Sequence, residues 1–248
     1  MKKLVVLFMG IVFVLFLSTG GCQIGDNEAV ARMHFQDGFE ASKAGRWEDA
    51  IRAYSLAIER NPDLADAYLY RGHSYTNVGK FNEAIQDLNQ FIGLNPEEAL
   101  AYNSRGLSYR NLKQYDRAIE DFDKAVELAP DYDEAYANRG QAFKDKAQYE
   151  RAIEDYDKAI NLNPQLPGIY SLRAFAYLSL GKYQNALADL NQAIIINPGD
   201  RIAYANRARV HAYLRMDEQA MSDIEKAVAL GFDRSTLELE IERIKADR

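Results

Sequence analysis

The sequence predicts an all-α solenoid, a stack of helical hairpins, on three observations. First, residues recur at a step of 34: Gly106 returns as Gly140, Ala118 as Ala152, Ala125 as Ala159 and Pro130 as Pro164. A fixed period of this length marks a repeat architecture in which each unit contacts only its neighbours. Second, apolar and small residues fall three and four apart within a period, as in Tyr102, Gly106 and Tyr109, then Ala118, Phe122 and Ala125. That is the stripe of an amphipathic helix, written twice. Third, five of the six prolines share one register, at Pro62, Pro96, Pro130, Pro164 and Pro198. Proline pushes the residue before it out of the α region, which ends the second helix of each period.

Composition limits the function classes. The chain has 248 residues, 27% charged and 48% hydrophobic, an ordinary globular mixture. Its net charge is −7. Nucleic-acid binding needs Lys and Arg in excess to neutralise phosphates, so an acidic solenoid fits it poorly. A single cysteine rules out an intramolecular disulfide.

Residues 1–21 read as a secretory signal peptide: Lys2 and Lys3, an apolar run from Leu4 to Leu17, then small residues. The run is short for a membrane span, which needs about 20 apolar residues. The alternative is an uncleaved N-terminal anchor; under both, the lysines stay cytoplasmic and the remainder is exported. Losing Lys2 and Lys3 takes the net charge from −7 to −9. Residues 22–30 follow as a cysteine and a polar tether without periodicity. The stretch Leu17-Ser18-Thr19-Gly20-Gly21-Cys22 resembles the lipobox of bacterial lipoproteins. It departs in carrying Thr19 where that family usually has Leu. The resemblance implies cleavage before Cys22 and acylation, for example with palmitate, of its sulfur and new amino group. Multiple acyl chains anchor firmly, since each buried CH₂ contributes about 0.8 kcal/mol. Gln23 stands where lipoproteins kept in the inner membrane usually carry Asp. The expected location is therefore a membrane-anchored lipoprotein facing the periplasm, on the outer membrane if the cell is Gram-negative.

Six repeats run in frame: 31–64, 65–98, 99–132, 133–166, 167–200 and 201–234. A small residue recurs at Gly38, Gly72, Gly106, Gly140, Ala174 and Ala208, where close helix crossing demands it. An aromatic recurs at Trp47, Phe81, Tyr115, Tyr149 and Tyr183, and alanine at Ala50, Ala84, Ala118, Ala152, Ala186 and Ala220. A second small site recurs at Ala57, Ala125, Ala159, Ala193 and Ala227, with Phe91 the departure. This pattern resembles the tetratricopeptide repeat family over residues 31–234. The resemblance implies an all-α right-handed solenoid of six hairpins plus a C-terminal capping helix. The sixth repeat is the most degenerate, with Asp217 for the aromatic and Gly231-Phe232 for Asn-Pro, as expected of a terminal repeat. Residues 235–248 form the cap, which a solenoid needs to cover its last apolar face. Ser235 and Glu238 have the spacing of a capping box, with Leu237, Ile241 and Ile244 behind them.

Catalytic signals are nearly absent. His34, His73 and His211 occupy unrelated repeat positions, and no HExxH, CxxC, glycine-rich phosphate loop or calcium-loop pattern is present. The expectation is no enzyme, no metal site and no cofactor. One charged pattern is systematic: Arg71, Arg105, Arg139, Arg173 and Arg207 precede the small residue, and Asp87, Asp121, Asp155, Asp189 and Asp223 recur with them. The first repeat lacks both, having Asp37 and Ala53. Joint presence and joint absence predict structural ion pairs within each repeat.

Binding is sought where copies differ. In tetratricopeptide proteins the first helix of each repeat lines a concave groove. The resemblance implies a groove of Phe35, Phe39, Tyr70, His73, Asn77, Asn103, Arg110, Asn111, Asn138, Gln141, Lys144, Asn206, Arg209 and Tyr213. Asparagine both donates to and accepts from a peptide backbone, and aromatics supply rigid contact area. Asn138 and Asn206 match the asparagine ladder of some members; Gln36, Tyr70, Ser104 and Leu172 do not. Phe35 and Phe39 replace the first-repeat Lys and Asn with which other members clamp a C-terminal carboxylate. The expected function is an envelope scaffold that grips a segment or helix of a partner protein, similar in architecture to pilotins and cell-wall adaptors. The competing expectation is self-assembly, with solenoid ends stacking between protomers.

Overall fold

The computed structural model describes residues 27–166 and 168–247. The signal segment and Cys22 lie outside the described residues. Among these residues there are thirteen α-helices and no strand. Helix α1 is described over 27–43. Then follow α2 (Trp47–Arg60), α3 (Ala65–Asn77), α4 (Phe81–Leu94), α5 (Ala99–Asn111), α6 (Tyr115–Leu128), α7 (Asp133–Asp145), α8 (Tyr149–Leu162), α9 (Ile169–Ser179), α10 (Tyr183–Ile196), α11 (Arg201–Tyr213), α12 (Asp217–Ala229) and α13 (Arg234–Ala246). The chain divides into two compact units, one holding α1 to α5 and ending at Leu112, the other holding α6 to α13.

Both turns of the period have a local cause. Each long second helix ends on an extended residue before proline: Asn61, Asn95, Ala129, Asn163 and Asn197 have φ between −132° and −141°. Asparagine adds a bond of its own there. The side-chain oxygens of Asn61, Asn163 and Asn197 accept from the backbone N–H two residues on, each at 3.1 Å. That closes an Asx turn and directs the chain into the next hairpin. The turn inside each hairpin is a left-handed C-terminal cap. It falls on Gly45, Gly79 and Gly181, but equally on Lys113 (φ 60°), Ala147 (φ 55°) and Arg215 (φ 61°). Around Ala147 its N–H donates to Lys144 O and that of Gln148 to Phe143 O, both at 2.9 Å.

The hairpins close on small residues. A Cβ placed on Gly38 would lie 2.7 Å from the Tyr54 ring, and one on Gly140 2.7 Å from Tyr156. These contacts are shorter than carbon atoms tolerate, so glycine and tyrosine interlock. Where alanine takes the glycine's place, at Ala174 and Ala208, the facing residues are the smaller Leu190 and Ile224. The second hairpin departs from this matching of sizes, closing Gly72 on Leu88 with a 2.8 Å approach.

The terminal helix differs from its expectation at one point. α13 begins at Arg234, one residue early, and its cap is Asp233, which accepts from Thr236 N at 2.8 Å. Ser235 donates to Asp233 Oδ1 instead of capping, and Glu238 pairs with Arg234 at 3.0 Å. A carboxylate suits the partial positive charge of a helix N-terminus better than a hydroxyl, and Asp233 stands two residues before Ser235, at the N-cap itself. The predicted capping box of Ser235 and Glu238 is therefore not formed. Leu237 and Ile241 are buried against Ala205, Ala208 and Ala212 of α11, so α13 does cover the last hairpin. α12 itself ends at Leu230 on Gly231 (φ 90°), with the Phe232 N–H reaching back to Ala227 O at 2.9 Å.

Candidate functional site

In the second unit the first helices α7, α9 and α11 lie side by side. Their shared face carries Gln141 and Lys144 from α7, Phe175 from α9, and Arg209 and Tyr213 from α11. Phe175 is 41% exposed and Tyr213 38%. Large apolar rings standing in solvent are what a binding surface offers and a finished core does not. Both are held rigid. Tyr149 meets Phe175 edge-on at 6.4 Å, and Tyr213 stacks on Tyr183 at 4.5 Å with the planes 8° apart. Lys144 Nζ lies 5.7 Å from the Phe175 ring centre and 3.2 Å from Asp145 Oδ1. Arg209 donates to Glu240 of α13 through Nε (2.9 Å) and Nη2 (2.6 Å), and to Asn206 Oδ1 at 2.6 Å. The terminal helix thus borders this face and holds one of its cations.

The predicted groove residues differ in what surrounds them. Gln141, Lys144 and Tyr213 stand on the open face just described, and Asn138, one position before Arg139 on α7, is half-buried. Asn103 and Asn206 are 5% and 8% exposed, so these two are removed from the available surface by their neighbours. Asn77 and Asn111 are exposed but turn their amides back onto their own helix, at His73 O (2.9 Å) and Leu107 O (2.8 Å). In the first unit Phe35, Phe39 and Tyr70 form one aromatic cluster with Tyr54, with ring centres 5.5–6.4 Å apart. His73 Nδ1 contacts Ser104 Oγ at 3.1 Å beneath the edge of Trp47, and burial lowers its pKa below the usual imidazole value. It is an internal, neutral polar contact. Arg110 is half-buried on α5.

The fifth repeat contributed nothing to the predicted groove, yet the most exposed ring of the second unit's face, Phe175, is its residue. The signal was present. Phe175 falls in the column of Phe39, His73, Leu107, Gln141 and Arg209, a variable first-helix position of the period.

Each unit also carries rungs of the arginine ladder. Arg71, Arg139, Arg173 and Arg207 each donate Nε and Nη2 to the two oxygens of Asp87, Asp155, Asp189 and Asp223, at 2.6–2.9 Å. Such two-pronged pairs are the strong form of the interaction. Each guanidinium also reaches the preceding hairpin through Nη1. Arg71 meets Ser55, Arg105 meets Asn89, Arg139 meets Asp123, Arg173 meets Asp157 and Arg207 meets Asn191, at 2.5–3.0 Å. The arginine is therefore a staple between hairpins as well as a clasp within one. Burial acts against the Arg139 charge, but the carboxylates of Asp155 and Asp123 outweigh it and raise its pKa. Burial likewise pushes the Asp223 carboxyl up, and contacts from His211 and Arg207 outweigh it and hold it below the usual aspartate value. Asp121 is buried, 6% exposed. These arginines are engaged by the fold and do not form a free row for anionic ligands.

Among the described residues no group of three His, Cys, Asp or Glu side chains could hold a metal ion, and no helix is long and apolar enough to cross a membrane.

Hairpins of this construction, with arginine clasps and an accessible first-helix face, define a helical repeat protein built for binding. Sequence models of the tetratricopeptide repeat match residues 65–98, 99–132 and 168–200, and a TPR repeat model matches 43–79 and 140–181. The chain belongs to the tetratricopeptide repeat family and is a protein–protein interaction scaffold. A search of curated proteins found no significant match. Among solved structures, MamA is 27% identical, with a TM-score of 0.58 over 65% of this chain and 94% of that one. YrrB, described as a TPR protein with an unusual peptide-binding site, is 22% identical, with a TM-score of 0.65 over 78% of this chain and 100% of that one. PilF of Pseudomonas aeruginosa is 18% identical, with a TM-score of 0.74 over 90% of this chain and 100% of that one. The last two likenesses are of fold.

Proposed function

We propose that this protein is a membrane-anchored scaffold of the bacterial cell envelope that holds a segment or helix of a partner protein on the α7–α9–α11 face. The observation that carries the reading is the pair of rigid, exposed rings, Phe175 and Tyr213, set among Gln141, Lys144 and Arg209. Packed aromatics bind with little loss of side-chain freedom, and flanking polar groups set register. The peptide-binding site named for YrrB is in keeping with this. Anchoring is supported by Lys2, Lys3, the apolar run Leu4 to Leu17 and Cys22, which would carry the lipid. Gln23 supports an outer-membrane destination in a Gram-negative cell.

The test is photo-crosslinking in the native envelope, with the probe at Tyr213 and a control at Glu154, exposed on the second helix α8. The reading expects a discrete adduct from Tyr213 alone, lost when Phe175 is changed to Ala. Adducts from Glu154 only would move the site to the second-helix face. Cys22→Ser tests the anchor separately: the protein should leave the membrane fraction, and its retention there would refute lipidation.

A further inference from the structure

Two cations of the second unit stand where the repeat otherwise carries a different kind of residue. Position 146 is Lys146, where the other five hairpins have Ala44, Val78, Leu112, Leu180 and Leu214. Position 113 is Lys113, held at φ 60° in the left-handed turn that Gly45, Gly79 and Gly181 make without a Cβ. Lysine costs stability at both places: at one it exchanges apolar contact for a charge, at the other it strains the backbone. The two positions belong to different hairpins, yet both lysines line one open cleft of about 480 Å³, with Gln114, Tyr115, Asp116 and Arg117. Lys146 pairs with Asp116, whose side chain is 81% exposed, and Arg117 donates to Gln114 Oε1 at 3.0 Å. Among the described residues Lys113 makes no hydrogen bond or ion pair. Three cations thus face one carboxylate, in a chain of net charge −7. The cleft of the first hairpin lacks this excess: Arg46 and Arg52 both pair with Asp49, and Asp37 and Glu40 stand beside them.

We propose that the Lys113–Arg117–Lys146 cleft takes the carboxylates of an acidic partner segment, the same segment whose apolar side chains lie on Phe175 and Tyr213. The proposal rests on the α7–α9–α11 reading and adds the partner's chemistry and which end of it lies where. The end of α7 joins the two regions. On one side Lys144 reaches the Phe175 ring of α9; on the other Lys146 reaches Asp116 of α6. Tyr213 is the last residue of α11. A segment laid across the ends of α11, α9 and α7 therefore meets Tyr213, Phe175 and Lys144, then the cleft. Helices pack about 8–10 Å apart and an extended chain rises about 3.3 Å per residue, so crossing from α11 to α7 takes about six residues. The partner segment is apolar at one end and carries Asp or Glu about six residues away. Charge complementarity of this kind sets register and orientation. A lipid surface is read by a broader group of about four to eight basic side chains, and this cleft offers three.

The test is photo-crosslinking in the native envelope with the probe at Gln114, which lines the cleft and carries no charge, beside the probe at Tyr213. Both should join the same partner, and the peptide joined at Gln114 should carry Asp and Glu in excess. Lys113→Gly with Lys146→Leu installs residues that other hairpins carry at these places. The pair should lower the Gln114 adduct at least about fivefold while the melting temperature holds or rises. Lys113→Gly alone should act in the same direction and ease the turn, so loss of the adduct cannot come from unfolding. Added salt should weaken the Gln114 adduct more than the Tyr213 adduct. An adduct at Tyr213 with none at Gln114 would overturn the proposal and leave the binding face standing. So would a Gln114 adduct to lipid, to a segment without acids, or one that survives the double change. No adduct at Tyr213 would take down the binding face and this proposal with it.

Discussion

Compare the first hairpin, α1 and α2, with the fourth, α7 and α8. Both close a glycine onto a tyrosine, Gly38 on Tyr54 and Gly140 on Tyr156, with the same 2.7 Å approach. Their interiors are built alike. They part company at the clasp. The fourth hairpin has Arg139 gripping its own Asp155 and reaching back to Asp123 of the third repeat. The first has Asp37 and Ala53, and among the described residues no hairpin precedes it. The pairing of Arg with Asp is thus a device of hairpins that have a predecessor. It orients one hairpin on the last, and it disappears where that task does. Burying an arginine with a carboxylate adds little net stability over a well-packed apolar pair, so orientation is the better account of its repetition.

The largest effect should come from breaking the clasp. Arg139→Ala leaves Asp155 (7% side-chain exposure) without its cation, and a stranded buried charge costs about 3–5 kcal/mol. Asp37→Ala, at the same place in the first hairpin, should change stability by less than about 0.5 kcal/mol. Urea unfolding of both variants measures the difference; equal midpoints would end the distinction between the two hairpins.

A smaller effect should follow from what the hairpins share. Gly140→Ala drives a methyl into the Tyr156 ring and should destabilise by about 1–3 kcal/mol. The double change Gly140→Ala with Tyr156→Leu should recover much of the loss, because the fifth hairpin pairs Ala174 with Leu190 at those places. Thermal unfolding of the single and double variants checks it; additive losses would deny the interlock.

The smallest effect lies in the turn. The left-handed cap is Gly45 in the first hairpin and Ala147 in the fourth. A residue with a Cβ is strained there by about 1–2 kcal/mol, offset in part by the freedom glycine has when unfolded. Ala147→Gly should stabilise by about 0.5–1 kcal/mol and Gly45→Ala should destabilise by a similar amount. Midpoints that move in the same direction would refute the common geometry.

Much of the fold could be read in advance because each repeated residue meets the same neighbours in every copy. Gly140 and Tyr156 sit sixteen apart, as do Gly38 and Tyr54, so periodicity exposes the contact without coordinates. The clasp was legible for the same reason. Its second hand was less so, although acceptors at Ser55, Asn89, Asp123, Asp157 and Asn191 keep the period. Their side chains vary in type, and only shared geometry makes them equivalent. The cap of α13 was misjudged because Asp233 and Ser235 are both good caps, and the choice depends on where the preceding turn releases the chain. The binding face was the least legible part. Asn103 and Asn206 have the right residue type at the right position, yet both are covered, while the exposed Phe175 was not among the predicted groove residues.

By itself the sequence determined the period, the hairpin, the crossing residues and the clasp, because these are local rules repeated until chance is excluded. Tertiary structure alone decided three other things. It decided which first-helix side chains remain in solvent, that Arg209 is held by Glu240 of α13, and that Lys113 and Lys146 line one cleft. The physical reason is that exposure is a property of whatever packs against a residue, and at variable positions the neighbours come from other hairpins whose side chains follow no period.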